Sequence, residues 1–473
     1  MADEPQPMTE PEFWEKSAQR QYIRDYARHT RTSPDAVLGA ILARIATVTP
    51  PNVVAPAFTG AFPSGLAMYV AIVGSSGDGK GLAEGVARKL IPDLLDAGET
   101  LPVSGEGLAT LFAGRRPLPG DDGESRNRGT EPYCVNQRAL LSVPEIGGLG
   151  ATMNRTGSTL EPVLLSAWSG EPLGGQNVDE NKRLRAPSYG YRLNLITGVQ
   201  PTNAGILADR DGSGLPQRFL WCDTKDPGAP RERPDMPDGW TKFDTGRLKE
   251  LQPSEMTLNA LYRAGARERM TKPESGGDPY PLHVMRYPNE VYEAVDDDRV
   301  LALHGQRPDG MDAHSLLLTI RIAGLLALLE QRADLLAVTS DDWRAAQWLV
   351  GHSIEIRTRC IVDGRRQRRS KRAANRADEL AADEAASEQA REIREADRLE
   401  RAKKSVLSQL DKHDGKREGV PGSTIRQYLG RNGKYAYQAI EALYDDGKLD
   451  LIGGDTGETS SRLWALAAGN PAL

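Results

Sequence analysis

One stretch limits what this chain can fold into more than any other: Met68-Tyr69-Val70-Ala71-Ile72-Val73-Gly74-Ser75-Ser76-Gly77-Asp78-Gly79-Lys80-Gly81. Its apolar first half, rich in Val and Ile, predicts a buried strand. The run breaks into a glycine-rich turn and resumes at Leu82 with helical apolar spacing through Leu90. Strand, glycine turn and helix in succession are the context of a phosphate-binding loop. Glycines let consecutive N–H groups converge on one phosphate, the helix adds the positive end of its dipole, and a lysine reaches the outer phosphates. Gly74 to Lys80 fits G-x-x-x-x-G-K, so Gly74, Ser75, Ser76, Gly77, Asp78, Gly79, Lys80 and Gly81 are the candidate nucleotide-binding residues. The pattern asks for Ser or Thr after the lysine to hold magnesium, and Gly81 stands there instead. Either other groups hold the ion, or nucleotide binds and is hydrolysed poorly.

A second apolar run, Ala139-Leu140-Leu141-Ser142-Val143, ends in Pro144-Glu145. A strand that delivers an acid supplies the other half of an ATPase site, where the acid holds magnesium through water or polarises the attacking water. Glu145 is therefore the candidate catalytic and metal-linked carboxylate, although Pro144 stands where an aspartate often precedes it. Leu193 to Pro201 predicts a further buried strand with a polar end, and Thr197 and Gln200 are candidates to sense the γ-phosphate. Asp211 to Trp221 carries a glycine turn that delivers Arg218 at the start of an apolar strand. Such an arginine suits a trans contact to a neighbouring subunit's nucleotide. Lys182, Arg183 and Arg185 form a basic cluster that either faces nucleic-acid phosphates or is a solvated loop.

The length of 473 residues predicts two or three domains, and a net charge of −6 excludes a uniformly basic nucleic-acid binder while leaving local patches open. Cys134, Cys222 and Cys360 are too scattered for a zinc site or a disulfide framework, which makes a reducing cytoplasm the expected location. Met1 to Pro11, acidic and proline-containing, does not read as a signal peptide. The apolar stretch Ser315 to Leu329 carries Arg321 and is too short to span a bilayer, so no membrane partner is expected. Ser33-Pro34-Asp35 predicts a helix start before the apolar stripe Val37 to Ile45. A short helix is expected from Ser104 to about Arg116, a mobile loop from Pro117 to Glu131, and helices over 313–329 and from Ser340 onward. The dense basic run Arg365 to Arg372 leads into a charged segment with Arg–Glu pairs at helical spacing.

Beyond Lys404 the pattern is more specific. Val406, Leu407 and Leu410 mark a helix, Val420 to Leu429 a short second one, and Lys434 to Tyr444 a third. Leu449 to Ile452 and Ser461 to Leu466 then predict a hairpin. Three helices and a hairpin in this order make a winged helix-turn-helix, whose third helix enters a major groove. Lys434, Tyr435, Tyr437 and Gln438 lie at its expected exposed start, with Arg426 and Arg431 placed for phosphates. Winged helices also serve protein contacts.

The order of these signatures resembles the helicase-like P-loop ATPases of phages, plasmids and integrated elements, primase-associated relatives of the RecA-like hexameric helicases. It runs from the phosphate loop through Ser104-Gly105-Glu106-Gly107-Leu108, Glu145 and Gly214 to Phe219, then Ile322 to Leu326 and Thr339 to Trp343. The resemblance covers about Gly65 to Cys360. It implies an α/β fold with a RecA-like P-loop core, ATP and Mg2+ as cofactors, a homo-oligomeric ring of hexamer type, and single-stranded DNA in a channel; the C-terminal domain lies outside it, and duplex DNA at the winged helix is expected from that domain's own pattern. A primase or polymerase would be a separate partner. The expected divisions are a helical region 1–50, a nucleotide-binding core 51–225, a helical extension 226–362, a charged linker or helix 363–402 and a winged-helix domain 403–473. The expected activity is that of a DNA-dependent ATPase, a replicative helicase of a mobile element. The alternatives are a low-turnover initiator or helicase loader, and a transcription regulator with a vestigial ATPase core.

Overall fold

The computed structural model describes residues 7–58, 60, 62–92, 94, 98–100, 104–117, 130–175, 184–239, 243–264, 280–307, 312, 314–454 and 457–468. The chain divides into two compact units, Met1–Arg368 and Arg369–Leu473. Among the described residues no helix is long and apolar enough to cross a membrane.

The first unit is an α/β structure built on a parallel sheet. Its strands are β1 (Tyr69–Val73), β2 (Gly98–Thr100), β3 (Arg138–Val143), β4 (Arg192–Val199) and β5 (Phe219–Asp223). Their spatial order is β2-β3-β4-β1-β5, with every neighbouring pair parallel. All residues of β1, β4 and β5 are buried, as expected of strands covered on both faces. In an open sheet of this kind ligands bind beyond the carboxyl ends of the strands, where the chain order switches direction. Here β1 is that place: the chain leaves it for the far edge strand β2 and later returns to β4 and β5 on its two sides.

One face of the sheet packs on α2 (Pro34–Val48), which follows α1 (Ala18–His29). Ser33 caps α2, Pro34 occupies its first turn, and all fifteen of its residues are buried, so it is a core helix rather than a surface one. Its carboxyl end and the residues that follow are satisfied by two buried arginines that start adjacent strands. Arg138 donates to the Val48 carbonyl (2.9 Å), and Arg192 to those of Thr49 (3.1 Å) and Val53 (2.6 Å). Cations suit the negative end of a helix dipole. Burial, with Arg138 beside it, lowers the Arg192 guanidinium to about 9.

Two sequence expectations are corrected nearby. The helix after Ser104 spans only Gly105–Thr110, and Ala113–Pro117 is a strand paired antiparallel with Thr130–Cys134. Register pairing across a loop is invisible to local periodicity, which explains the misreading. Most of the loop expected to be mobile, 118–129, lies outside the described residues.

Further along are α3 (Lys80–Leu90), α4 (Leu160–Ser169), α5 (Ser315–Leu329) and α6 (Ser340–His413). The segment expected as a charged linker or helix is helical throughout, within α6, which starts in the first unit and ends in the second. The second unit adds α7 (Gly422–Tyr428), α8 (Ala436–Asp445) and a small antiparallel sheet. That sheet has strands β6 (Val420–Pro421), β7 (Leu449–Gly453) and β8 (Leu463–Leu466), in the order β6-β8-β7. Its core gathers Val406 and Leu410 from the end of α6 with Ile425, Ile440, Leu443 and the fully buried Trp464. The third helix starts later than expected. Residues Gly430–Tyr435 form a 3-10 turn, so Lys434 and Tyr435 precede α8 instead of opening it.

Candidate nucleotide-binding site

The glycine-rich loop leaves β1 at Val73 and enters α3 at Lys80. Gly77 (φ 88°) and Gly79 (φ 83°) take the left-handed conformation that side chains disfavour; Gly79 is the second glycine of the pattern, and Gly77 falls at one of its free positions. Asp78 closes the turn by accepting from the Ser75 N–H (2.7 Å). Ser75, Ser76, Gly77, Asp78 and Gly81 are exposed along the crest, while Lys80 is buried beneath it. The Lys80 ammonium donates to the carbonyls of Gly74 and Ser75, both at 2.9 Å, and lies 3.2 Å from Glu145 Oε1.

Glu145 follows β3, and Gln200 follows β4, the strand between β3 and β1. Gln200 Nε2 donates to the same Glu145 Oε1 at 3.1 Å. Three residues read separately from the sequence thus converge at the carboxyl ends of three adjacent strands. The other carboxylate oxygen, Glu145 Oε2, is buried with no hydrogen-bond partner, and so is the Thr197 hydroxyl. A buried acceptor left unmade is costly, so Oε2 is an oxygen available to a water or ion.

Gly198 sets the spacing of this cluster. A Cβ there would stand 2.2 Å from the Pro144 carbonyl oxygen and 3.0 Å from Lys80 Cε. Gly198→Ala is expected to push Glu145 and Lys80 apart. It should cost about 1–3 kcal/mol of stability and weaken ATP binding at least tenfold, read by thermal melting and nucleotide titration.

The other candidates lie elsewhere. Arg218 precedes β5, whose first residue pairs with Tyr69 at the start of β1, whereas the loop departs at Val73. Four residue steps of strand, on the order of 13 Å, separate the two ends. The Arg218 guanidinium donates to the Gly214 carbonyl (2.7 Å) and lies 5.1 Å from the centre of the Trp168 ring. Reaching a neighbouring chain would require it to leave both. Burial lowers its pKa, and burial together with Arg218 holds His314 down at about 4. Arg185 is exposed, and Lys182 and Arg183 lie outside the described residues. In the second unit Arg426, Arg431, Lys434 and Gln438 are exposed. Arg426 lies over Tyr437 (5.5 Å) and Lys434 over Tyr435 (5.7 Å), each pairing a cation with an aromatic face.

Several residues escaped the sequence reading. Ser142 donates to Glu84 of α3 (2.9 Å), tying the end of β3 to the helix that follows the loop. Thr224, just after β5, packs on Gly74 and donates its hydroxyl to the Val73 carbonyl (2.9 Å). Asp35 accepts from the Asp223 N–H (2.7 Å), and burial raises its carboxyl to about 6. Only Ser33-Pro34-Asp35 gave any local signal, and that signal was a helix cap.

Among the described residues no three His, Cys, Asp or Glu side chains gather as a metal cage. Magnesium needs no such cage, because it keeps several waters and takes one or two carboxylates plus the substrate's phosphates. The free Oε2 of Glu145 fits that role, and Gly81 contributes no hydroxyl to it.

No protein-family model matches this chain, and no curated protein matches it. Among solved structures it matches one described as SCCmec type IV Cch, an active helicase. That protein is 10% identical, with 91% of this chain and 67% of that one covered and a TM-score of 0.19. A likeness so slight bears no weight, and the functional reading rests on the geometry above.

Proposed function

We propose that this protein is an ATP-dependent DNA-binding motor, a helicase of a mobile genetic element that works as a ring. The observation that carries the reading is the convergence of Lys80, Glu145 and Gln200 beyond the carboxyl ends of β1, β3 and β4. Backbone N–H groups of residues 75–81 bind the phosphates, and Lys80 exchanges the carbonyls of Gly74 and Ser75 for the outer phosphate oxygens. Glu145 Oε2 orients the attacking water and takes its proton as the bond between the β- and γ-phosphates breaks. Gln200 holds the carboxylate in place through Oε1. Were magnesium to enter with the triphosphate, Glu145 would hold it through an intervening water, and the ion would supply charge neutralisation on the phosphates.

DNA contact is assigned to the second unit, read as a winged helix, where Arg426, Lys434, Tyr435, Tyr437 and Gln438 offer phosphate donors and aromatic faces. Arg218 remains the candidate for the trans contact, but its engagement with Trp168 means that the reading does not depend on it. A second reading, a low-turnover initiator or helicase loader, is favoured by one observation: Gly81 offers no side-chain ligand to magnesium.

The test is steady-state ATPase activity with and without single-stranded DNA. The motor reading predicts stimulation by DNA and a loss of at least ~100-fold in Glu145→Gln, with nucleotide binding retained. Absent hydrolysis with intact ATP-dependent DNA binding selects the loader, and absent nucleotide binding rejects both.

A further inference from the structure

The nucleoside of a nucleotide held by the loop needs a place beside it. The sheet order decides the side. Glu145 and Gln200 follow β3 and β4, which lie on one flank of β1, so the γ-phosphate end of a triphosphate faces that flank. Its other end must leave across β1 toward β5. A cavity of about 150 Å³ opens there, lined by Asp78, Gly79 and Ala83 of the loop and α3 and by Thr224 and Ala229 beyond β5. Its remaining wall is the turn from α1 into α2, including Ala36.

We propose that this cavity receives the nucleoside moiety of the nucleotide whose phosphates the loop holds; the inference rests on the phosphate-loop reading and extends it. The cavity is contiguous with the loop through Asp78 and Gly79. Ala36, Ala83 and Ala229 give it an apolar stretch suited to a flat heterocycle, among polar walls from Arg28, Arg31, Thr32, Ser33 and Asp226 that suit a nucleoside's hydroxyl and ring heteroatoms. Its walls are fastened before any ligand arrives. Arg28 grips both carboxylate oxygens of Asp226 (2.8 and 3.1 Å), and Arg31 donates to the carbonyls of Pro230 (2.5 Å) and Arg231 (2.9 Å). The segment after β5 is thereby pinned to the α1–α2 turn, which pre-organises the slot and lowers the ordering cost of binding. The helical lead-in at the start of the chain then has a role beyond covering the sheet: it builds half of the nucleoside subsite.

The site is tested from its rim. Ala229 is exposed, so Ala229→Trp fills the slot without disturbing the core, and Ala229→Ser leaves it open. Binding of ATP and of inorganic tripolyphosphate, each with Mg2+, is measured for wild type and both variants by calorimetry, with melting curves as the check on folding. The proposal expects Ala229→Trp to raise the Kd for ATP at least tenfold while the tripolyphosphate Kd stays within twofold of wild type, and Ala229→Ser to match wild type for both. Unchanged ATP affinity in a folded Ala229→Trp places the nucleoside elsewhere and overturns the proposal. Equal loss of both probes also overturns it, because the damage then lies in the loop. Failure of wild type to bind tripolyphosphate or ATP removes the phosphate-loop reading itself.

Discussion

Replacing Lys80 with alanine is expected to raise the Kd for ATP at least ~100-fold, a loss of about 2.7 kcal/mol, while the melting temperature stays close to wild type. The size follows from what the ammonium does. It is a charged donor with three acceptors, the Gly74 and Ser75 carbonyls at 2.9 Å and Glu145 Oε1 at 3.2 Å. Ser75 is exposed, so water replaces the lysine at its carbonyl, and only the buried Gly74 carbonyl is left to find another donor. Glu145 keeps the Gln200 amide. Stability therefore changes little. Phosphate binding loses a charge-assisted contact of about 1.5–3 kcal/mol. Fluorescent-nucleotide titration alongside thermal melting separates the two effects, and an unfolded Lys80→Ala would contradict this division of roles.

The largest expected effect on stability belongs to Arg321. It is fully buried in α5, a helix whose other residues are almost all apolar. Its guanidinium lies 3.6 Å from the centre of the Trp168 ring and donates to the carbonyls of Ala67 (3.0 Å) and Trp168 (2.7 Å). It thereby joins α5 to the end of α4 and to the residues entering β1. Burial lowers its pKa to about 9. Arg321→Ala leaves two carbonyls unpaired and a cavity beside Trp168, with an expected cost of about 3–5 kcal/mol. Arg321→Met refills volume but not the hydrogen bonds and should recover only part of the loss. Urea midpoints for both variants check the order, and a midpoint for Arg321→Ala equal to wild type would show that the carbonyls find other donors.

Where the information is local, the sequence points to residues that the structure brings together. The glycine-rich loop, the strand ending near Glu145 and the strand ending near Gln200 each declare themselves within ten residues. Their convergence required only that the three strands be adjacent, which the parallel sheet provides. It fell short where a partner lies far along the chain. The direction of Arg218 depends on Trp168, fifty residues earlier. The buried guanidiniums of Arg138 and Arg192 look like solvated charges until α2 presents its carboxyl end to them. The strand Ala113–Pro117 needs its antiparallel partner, and the α1–α2 turn needs the segment after β5 before either looks like a binding wall. The start of α8 shifted because a run of residues around Gly430 and Gly433 winds as 3-10 turn, a choice that helical periodicity does not distinguish.

The central claim is that the backbone amides around residues 74–80 cradle a triphosphate. Hydrogen–deuterium exchange of the intact protein, with and without a non-hydrolysable ATP analogue and Mg2+, reads those amides directly. The account predicts slowed exchange in the peptide spanning Ser75 to Leu82 on adding the analogue, and no such change in Lys80→Ala. Unaltered exchange across that peptide in wild type at saturating analogue would contradict it.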